Sequence, residues 1–237
     1  MWAEQLNPDT VDSRVWPRTL AIAERFWSQQ TVRDAPDMYR RLRIATLRLE
    51  DVGLTHISGP HHMRRSLMGS LDTEPLDVLA SVIEPVSFHE RYQGQKTDSL
   101  TALDRLVDAV VADPPSRQAI AAEMNALLTG DRAATEIRLR RRFLQWQQAA
   151  PMLEAWAHRS IRLSDIEARA HQLGALAQVG LDSLAYLDTR GQPAAGWQDA
   201  QLAVITDAEK PSALVRFVFL PEMRKLVEEA ARSGKAE

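Results

Sequence analysis

Residues 36–53 read PDMYRRLRIATLRLEDVG and carry a clear helical pattern. The apolar side chains recur at alternating steps of four and three residues, at Met38, Leu42, Ala45, Leu49 and Val52. Alternating steps of this size place side chains on one face of an α-helix. The pattern predicts an amphipathic helix that begins near Pro36 and is capped at its C-terminus by Gly53.

Comparable stripes lie on both sides of this segment and together predict an all-α fold. An earlier stripe begins at Trp16, with Pro17 suited to the first turn of a helix, and continues through Leu20, Ala23 and Trp27. Later stripes are Leu100, Leu103, Val107 and Val110; Ile120, Met124 and Leu127 before Gly130; Leu139, Phe143, Trp146 and Leu153; and Ile166, Ala170, Leu173, Ala177 and Leu184. A last helix is predicted over 221–232. The best strand candidate, 214–220, could equally be a buried helical turn.

The composition excludes several classes of function. The 237 residues include 29 Lys and Arg, 32 Asp and Glu and no Cys, and the net charge is -3. Without cysteine there is no disulfide framework, no thiolate nucleophile and no Cys-ligated zinc. A slightly acidic chain has no general attraction to nucleic acid or acidic lipid, and no apolar run reaches the roughly 18 residues of a membrane span. We therefore expect neither a nucleic-acid partner nor a membrane partner.

One stretch interrupts the helical pattern and suggests a division of the chain. Residues 55–73 read THISGPHHMRRSLMGSLDT, lose the periodicity and collect Gly, Pro, His and Ser. Such a composition predicts a linker or long loop. The sequence thus predicts one unit over 1–54 and a helical domain over 74–237.

The first 28 residues, MWAEQLNPDTVDSRVWPRTLAIAERFWS, are the most specific part of the sequence. They resemble the end of the catalytic barrel in family 20 glycoside hydrolases, the β-N-acetylhexosaminidases. In that family the last barrel strand carries Trp-x-Glu, matched here by Trp2, Ala3 and Glu4. The helix that follows is matched by Arg14, Trp16, Pro17, Arg18, Ala21, Ala23, Glu24, Arg25, Trp27 and Ser28. The resemblance implies that 1–54 is the last strand and helix of a (β/α)8 barrel, followed by a helical, bundle-like domain.

The resemblance also implies a sugar-binding role for two residues. Trp2 would line the N-acetylglucosamine subsite, and Glu4 would bind sugar hydroxyls. A tryptophan ring can pack on the C–H face of a pyranose, and a carboxylate accepts hydrogen bonds from hydroxyls. Two residues apart on a strand, these side chains would point to the same side of the sheet. In this chain alone, we expect both to lie at a terminus with no site around them.

The resemblance places the catalytic groups outside this chain. Family 20 enzymes use the acetamido group of the substrate as nucleophile, assisted by an adjacent Asp-Glu pair in the middle of the barrel. Glu50-Asp51 has the reverse order and is expected on a solvated helix face. We therefore expect no catalytic residue here, no activity of the chain alone, and the missing N-terminal barrel as its partner. N-acetylhexosaminide substrate would bind only the intact protein, which in bacteria is expected to be periplasmic or secreted.

Other residue clusters have simpler interpretations. His56, His61 and His62 lack the spacing of zinc sites and are interpreted as part of a polar loop. The run of Arg138, Arg140, Arg141 and Arg142 spreads around a helix and is interpreted as a solvated face. No G-x-S-x-G elbow accompanies the available Ser, His and Asp residues. We predict neither a metal nor a cofactor.

Two hypotheses remain open at this stage. The chain is the C-terminal part of a β-N-acetylhexosaminidase whose helical domain packs on the barrel. Alternatively, it is a free-standing helical interaction module derived from such an enzyme. An exposed apolar stripe at Trp16, Leu20, Ala23 and Trp27 would favour the first, because that helix would normally cover a barrel strand. Burial of the stripe within this chain would favour the second.

Overall fold

The computed structural model describes residues 5–98, 100–130, 132–189 and 191–233. Within these residues the chain forms α-helices and a single two-stranded sheet, which confirms the predicted all-α class. The helices are α1 (Val11–Val15), α2 (Arg18–Trp27), α3 (Ala35–Asp51), α4 (Ser58–Met68), α5 (Glu74–Ser81), α6 (Phe88–Gly94), α7 (Leu106–Ala109), α8 (Ser116–Thr129), α9 (Arg132–Ala157), α10 (Glu167–Thr189), α11 (Trp197–Glu209) and α12 (Leu220–Ser233). The strands are β1 (Ile83–Pro85) and β2 (Val215–Phe217). None of the helices described is both long and apolar enough to cross a bilayer.

The core is built around the long helices α9 and α10, which pack against each other and against α8, α5 and α12. Trp146 of α9 lies at its centre, with its ring centroid 5.3 Å from that of Phe143 and 4.4 Å from that of Phe219. A Cβ atom at Gly180 of α10 would lie 2.6 Å from the Phe143 ring, so only glycine allows this approach. The predicted stripes of α8, α9 and α10 are buried and form this core.

The strand candidate over 214–220 is correct only in its first half. Val215–Phe217 pairs antiparallel with β1, with Ile83 opposite Phe217, and Leu220 already begins α12. Ile83 and Val215 are fully buried. The alternation covers only Val215, Arg216 and Phe217 and runs into an apolar stretch up to Leu220, which is why this sequence resembled a buried helical turn.

The prediction of an irregular linker over 55–73 is wrong in its secondary structure, because most of that stretch is helix α4. Met63, Leu67 and Met68 of this helix are buried in the core. Gly69, in the left-handed conformation with φ of 62°, ends the helix. Gly, Pro and His dominate the first turn, where they conceal the helical spacing of the apolar residues behind them. The division into units 1–54 and 74–237 stays a prediction.

The predicted stripe over 100–110 is wrong in its first half. The helix there is the short α7, which begins at Leu106, and Leu100 is 92% exposed. Val107 and Val110 are buried, as the stripe required. The helical spacing of Leu100 and Leu103 is therefore a coincidence, because they lie in an irregular segment. Only Val107 and Val110 of this stripe are part of the core.

Candidate functional site

The two predicted sugar-binding residues, Trp2 and Glu4, lie outside the described residues. The description begins at Gln5, so the structure gives the segment that leads directly out of the candidate site. We call residues 5–15 the anchor segment. Its polar side chains contact two distant parts of the chain, the stretch 103–110 and the start of α4.

The first contact is a turn built on Asn7. Its side-chain oxygen accepts a hydrogen bond from the Thr10 amide at 3.0 Å, and its side-chain nitrogen donates to the Leu103 carbonyl at 3.1 Å. The Thr10 hydroxyl in turn accepts from the Asn7 amide at 3.0 Å and is part of a buried side chain. The side-chain amide of Asn7 thereby connects a local turn to a loop nearly a hundred residues later.

The second contact is made by Arg14, which holds the short helix α7. Its guanidinium donates to the carbonyls of Val107 at 3.1 Å and Val110 at 3.2 Å. Burial lowers the pKa of Arg14 to about 10, reinforced by the nearby Arg91 and opposed by Asp108. At neutral pH Arg14 is still protonated, so its charged hydrogen bonds to carbonyl oxygens persist.

The third contact fixes the anchor segment to the start of α4. Both the amide and the hydroxyl of Thr55 donate to Asp12 Oδ2, at 2.7 and 3.0 Å. The backbone of Asp9 lies against Gly59, where a Cβ atom would overlap the Asp9 carbonyl oxygen. Neither Asn7 nor Asp12 stands out in the sequence as a functional residue. The Asn-Pro dipeptide was the available signal for the turn at Asn7.

The charged residues of the helix motif shared with family 20, over 14–28, make contacts between neighbouring elements. Arg41 of α3 donates to Glu24 of α2 at 2.5 Å, and Arg25 donates to the Val32 carbonyl at 2.6 Å. Arg18 reaches back to the Arg14 carbonyl at 2.6 Å. These contacts hold α2 against α3 and against the anchor segment, so the polar part of the motif has a structural explanation within the described residues.

The apolar part of the motif has no such explanation. Neither α2 nor α3 contains a buried residue, although both are amphipathic. Trp16, Leu20 and Ala23 of the predicted stripe are half-buried, whereas Trp27 is 91% exposed. Four more large apolar side chains are exposed on the same pair of helices. The five uncovered apolar residues are Ile22, Phe26, Trp27, Ile44 and Leu47.

Glu50, one half of the reversed acidic pair, has a clear structural role. Its carboxylate accepts from the amides of Ile57 at 2.7 Å and Ser58 at 3.2 Å, at the start of α4. Burial opposes these hydrogen bonds, but they outweigh it and lower the pKa of Glu50. Beside it, the buried His56 ring pairs with the Thr46 hydroxyl at 2.6 Å. Glu50 of this pair therefore provides the acceptor for the first amides of α4.

The remaining candidate clusters are also accounted for by local contacts. Arg140 pairs with Glu136 at 2.6 Å, and Arg142 with Glu123 at 2.9 Å. Within the part of the chain that the structure describes, no three His, Asp or Glu side chains are grouped so as to hold a metal ion.

Comparisons with known proteins find similarity to family 20 glycoside hydrolases. The model of the glycosyl hydrolase family 20 catalytic domain matches residues 1–30. β-Hexosaminidase subunit A1 of Dictyostelium discoideum is 45% identical over 60 residues, which cover 25% of this chain and 11% of that protein. The human β-hexosaminidase subunit beta is 37% identical over 54 residues, which cover 23% of this chain and 10% of that protein.

A solved structure extends the similarity to almost the whole chain. The X-ray structure of a chitobiase from Flavobacterium johnsoniae superposes with a TM-score of 0.84 at 25% identity, covering 96% of this chain and 34% of that chain. The chain thus covers about a third of that chitobiase and about a tenth of the two β-hexosaminidases above. The family model, the relatives and the solved structure agree with the resemblance of the first 28 residues.

Proposed function

We propose, from the premise that this chain is a fragment of a family 20 hexosaminidase, that it completes the catalytic barrel of a β-N-acetylhexosaminidase. The parent would remove terminal N-acetylhexosamine residues by substrate-assisted, retaining catalysis. Trp2 would form a wall of the sugar subsite, and Glu4 would accept hydrogen bonds from sugar hydroxyls. The Asp-Glu pair that orients the acetamide and protonates the leaving group would come from the preceding barrel, so the chain alone would be inactive.

The observation that carries the proposal is the exposure of the helices that follow Trp2 and Glu4. Five large apolar residues of α2 and α3 are exposed, up to 91% at Trp27, beside a helical core that is complete without them. Apolar side chains concentrated on one pair of helices indicate a contact surface for another protein unit. By resemblance to the family, a barrel strand would be the partner of this surface.

The anchor segment supports the same role. Asn7, Asp12 and Arg14 bind the chain just after the Trp-Ala-Glu element to the loop before α7, to α7 and to the start of α4. In the intact enzyme, these hydrogen bonds would fix the end of the last barrel strand on the helical domain. A fixed strand end is useful because a sugar subsite must be held within fractions of an ångström.

If the chain is instead a free-standing interaction module, the stripe of α2 should be buried within this chain. Trp16, Leu20 and Ala23 are half-buried, but Trp27 is almost fully exposed, which favours the first hypothesis. A module that binds some other protein through the same surface would fail the catalytic test below.

The test is a chimera in which this chain replaces the matching third of the Flavobacterium johnsoniae chitobiase. The chimera should hydrolyse a chromogenic N-acetylglucosaminide, and the purified chain alone should not, because a general acid alone contributes about 10²–10⁴-fold. In the chimera, Trp2→Ala should lower kcat/KM by about tenfold or more, since an aromatic wall is lost from the subsite.

Glu4→Gln should act differently from Trp2→Ala. It keeps the shape but exchanges a charged acceptor for a neutral one, so losses on N-acetylglucosaminide and N-acetylgalactosaminide should differ if Glu4 meets the 4-hydroxyl. Glu74→Gln, at an exposed position of α5, is the matched control and should leave both rates unchanged. Turnover by the isolated chain, or full activity of both substituted chimeras, would refute the proposal.

A further inference from the structure

Two of the contacts that hold the anchor segment converge on one stretch of the helical domain, residues 103–110. Asn7 donates to the Leu103 carbonyl shortly before α7, and Arg14 donates to two carbonyls at the C-terminal end of the same helix. The anchor segment thus contacts α7 on both sides. A residue that fixes the conformation of this stretch therefore also fixes where the anchor segment lies.

Helix α7 is short and completely buried, so the polar groups at its end need partners. Its four residues and the following Val110 are at most 1% exposed. The last carbonyls of a helix have no donor within the helix, and cations near that end are favourable. Arg14 donates to two of these carbonyls, and Arg64 of α4 donates to that of Ala109 at 2.9 Å. Arg14 therefore supplies donors that this buried helix end requires.

Asp108 fixes the other end of α7. Its Oδ2 atom accepts from the Arg105 amide at 3.1 Å, two residues after the carbonyl that Asn7 contacts. Its Oδ1 atom accepts from Arg91 of α6 at 2.5 Å, and the side chains of this ion pair are only 1% (Asp108) and 5% (Arg91) exposed. One buried carboxylate thereby caps the start of α7 and connects it to α6.

The same carboxylate compensates the charges of two arginines. Burial, and next the nearby Arg91, lower the pKa of Arg14 to about 10, whereas Asp108 opposes this shift. Removing one partner of a buried ion pair is strongly destabilising, because it leaves the other charge uncompensated. Without the carboxylate, Arg14 and Arg91 would be neighbouring cations. Arg14 would be released more easily, since another contact of its segment, between Asp12 and Thr55, is exposed.

We propose that Asp108 is a positioning residue for the sugar subsite, an inference that rests on the function proposed above. Its carboxylate caps α7 and compensates the neighbouring arginines, so that α7 can hold the anchor segment. Asn7 follows Glu4 by only three residues. Release of the anchor segment would therefore displace the chain that carries Trp2 and Glu4. Asp108 acts through this connection and does not touch the substrate.

The first test is hydrogen–deuterium exchange of the purified chain. Within the anchor segment, the amides of Thr10, Val11 and Arg14 donate to backbone carbonyls, which protects them from exchange. Asp108→Asn keeps the shape of the side chain but removes its charge. Exchange of residues 5–15 should then become about tenfold faster or more, because hydrogen bonds to a charged group are lost.

A double variant separates the effect of charge from that of structure. Arg91→Met combined with Asp108→Asn removes both charges, a change that buried ion pairs often tolerate. The anchor segment should exchange more slowly than in Asp108→Asn alone, because Arg14 no longer faces an uncompensated cation. Glu123→Gln is the matched control, since it removes a carboxylate from the ion pair with Arg142. It should leave exchange of the anchor segment within about twofold.

The second test uses the chimera described above, at a temperature where circular dichroism shows each variant to be folded. Asp108→Asn should lower kcat/KM by about 10–100-fold, as a displacement of about 1 Å at a binding group can do. Adding Trp2→Ala should cost much less than it does alone, because a displaced ring has little left to lose. In Glu123→Gln, Trp2→Ala should cost as much as in the unsubstituted chimera.

Three results would each overturn this inference. They are unchanged exchange of the anchor segment in Asp108→Asn, exchange in the double variant that is as fast as in the single one, and a full additional loss from Trp2→Ala in the Asp108→Asn chimera. An inactive unsubstituted chimera would instead refute the proposed function. The exchange measurements use the purified chain and do not depend on that result.

Discussion

Two pairs of helices in this chain carry apolar stripes at helical spacing and differ in how deeply these are buried. In α9 and α10 the apolar stripe forms the core, and Trp146 is 1% exposed. In α2 and α3 no residue is buried, most of the stripe is only half-covered, and Trp27 is 91% exposed. Periodicity therefore determines that a segment is an amphipathic helix, but burial depends on whether a partner is present. The difference shows that the described residues cover α2 and α3 less completely than the core helices.

The most direct way to break this comparison is to truncate one tryptophan from each pair. Trp146→Ala should destabilise the chain by about 3–5 kcal/mol, because it leaves a cavity between Phe143 and Phe219. Trp27→Ala should change the free energy of unfolding by less than about 0.5 kcal/mol. Urea unfolding followed by circular dichroism measures both. Comparable losses would mean that α2 is covered within this chain.

A second prediction concerns Arg169, whose guanidinium donates to backbone carbonyls at the end of α11 and around β2. Arg169→Met should cost about 2–4 kcal/mol, since several buried carbonyls lose their donor at once. Arg224→Met is the control, because its ion pair with Glu209 is partly exposed and worth little. Arg169→Lys should fall between the two in chemical denaturation, because an ammonium has fewer donors and cannot span the same carbonyls.

A third prediction concerns the attachment of the N-terminal region to the core. Gly59→Ala should cost about 1–3 kcal/mol and displace the anchor segment, because the new methyl group overlaps the Asp9 carbonyl oxygen. Trypsin should then cleave after Arg14 faster. Gly174→Ala, within α10, is the counterpart in the core and should leave that cleavage rate unchanged. Identical cleavage of both variants would show that Gly59 does not control the anchor.

The smallest expected effect concerns the pH dependence of Asp165. Burial raises the pKa of this carboxyl in the folded chain above its unfolded value. The unsubstituted chain therefore loses stability as pH rises from the unfolded to the folded pKa. Asp165→Asn should be slightly more stable at neutral pH, and the difference should shrink as the pH is lowered through the acid range. Urea midpoints at several pH values measure this, and a difference independent of pH would contradict it.

Local sequence predicted the helices whose patterns were long and well capped. Residues 36–53 formed a helix because each apolar step and the final glycine agreed, and α8 and α10 followed the same rule. Helix α4 was missed because Gly, Pro and His in its first turn suggested a loop. The helix is stabilised by the burial of Met63 and Leu67 and by Glu50, which accepts hydrogen bonds from its first amides. These contacts are with distant residues, so local helix propensity does not predict them.

The sequence by itself determined the all-α class and the resemblance to family 20, because helical periodicity is local and the Trp-Ala-Glu and Trp-Pro-Arg motifs are specific at the level of residue identity. Only the tertiary structure decided which amphipathic helices are buried and which are not. It alone also brought Gln95, Arg105, Asp165 and Leu214 around one cavity. These residues are up to about 120 positions apart. No local pattern predicts which distant segments will meet, because that choice depends on how the whole core packs.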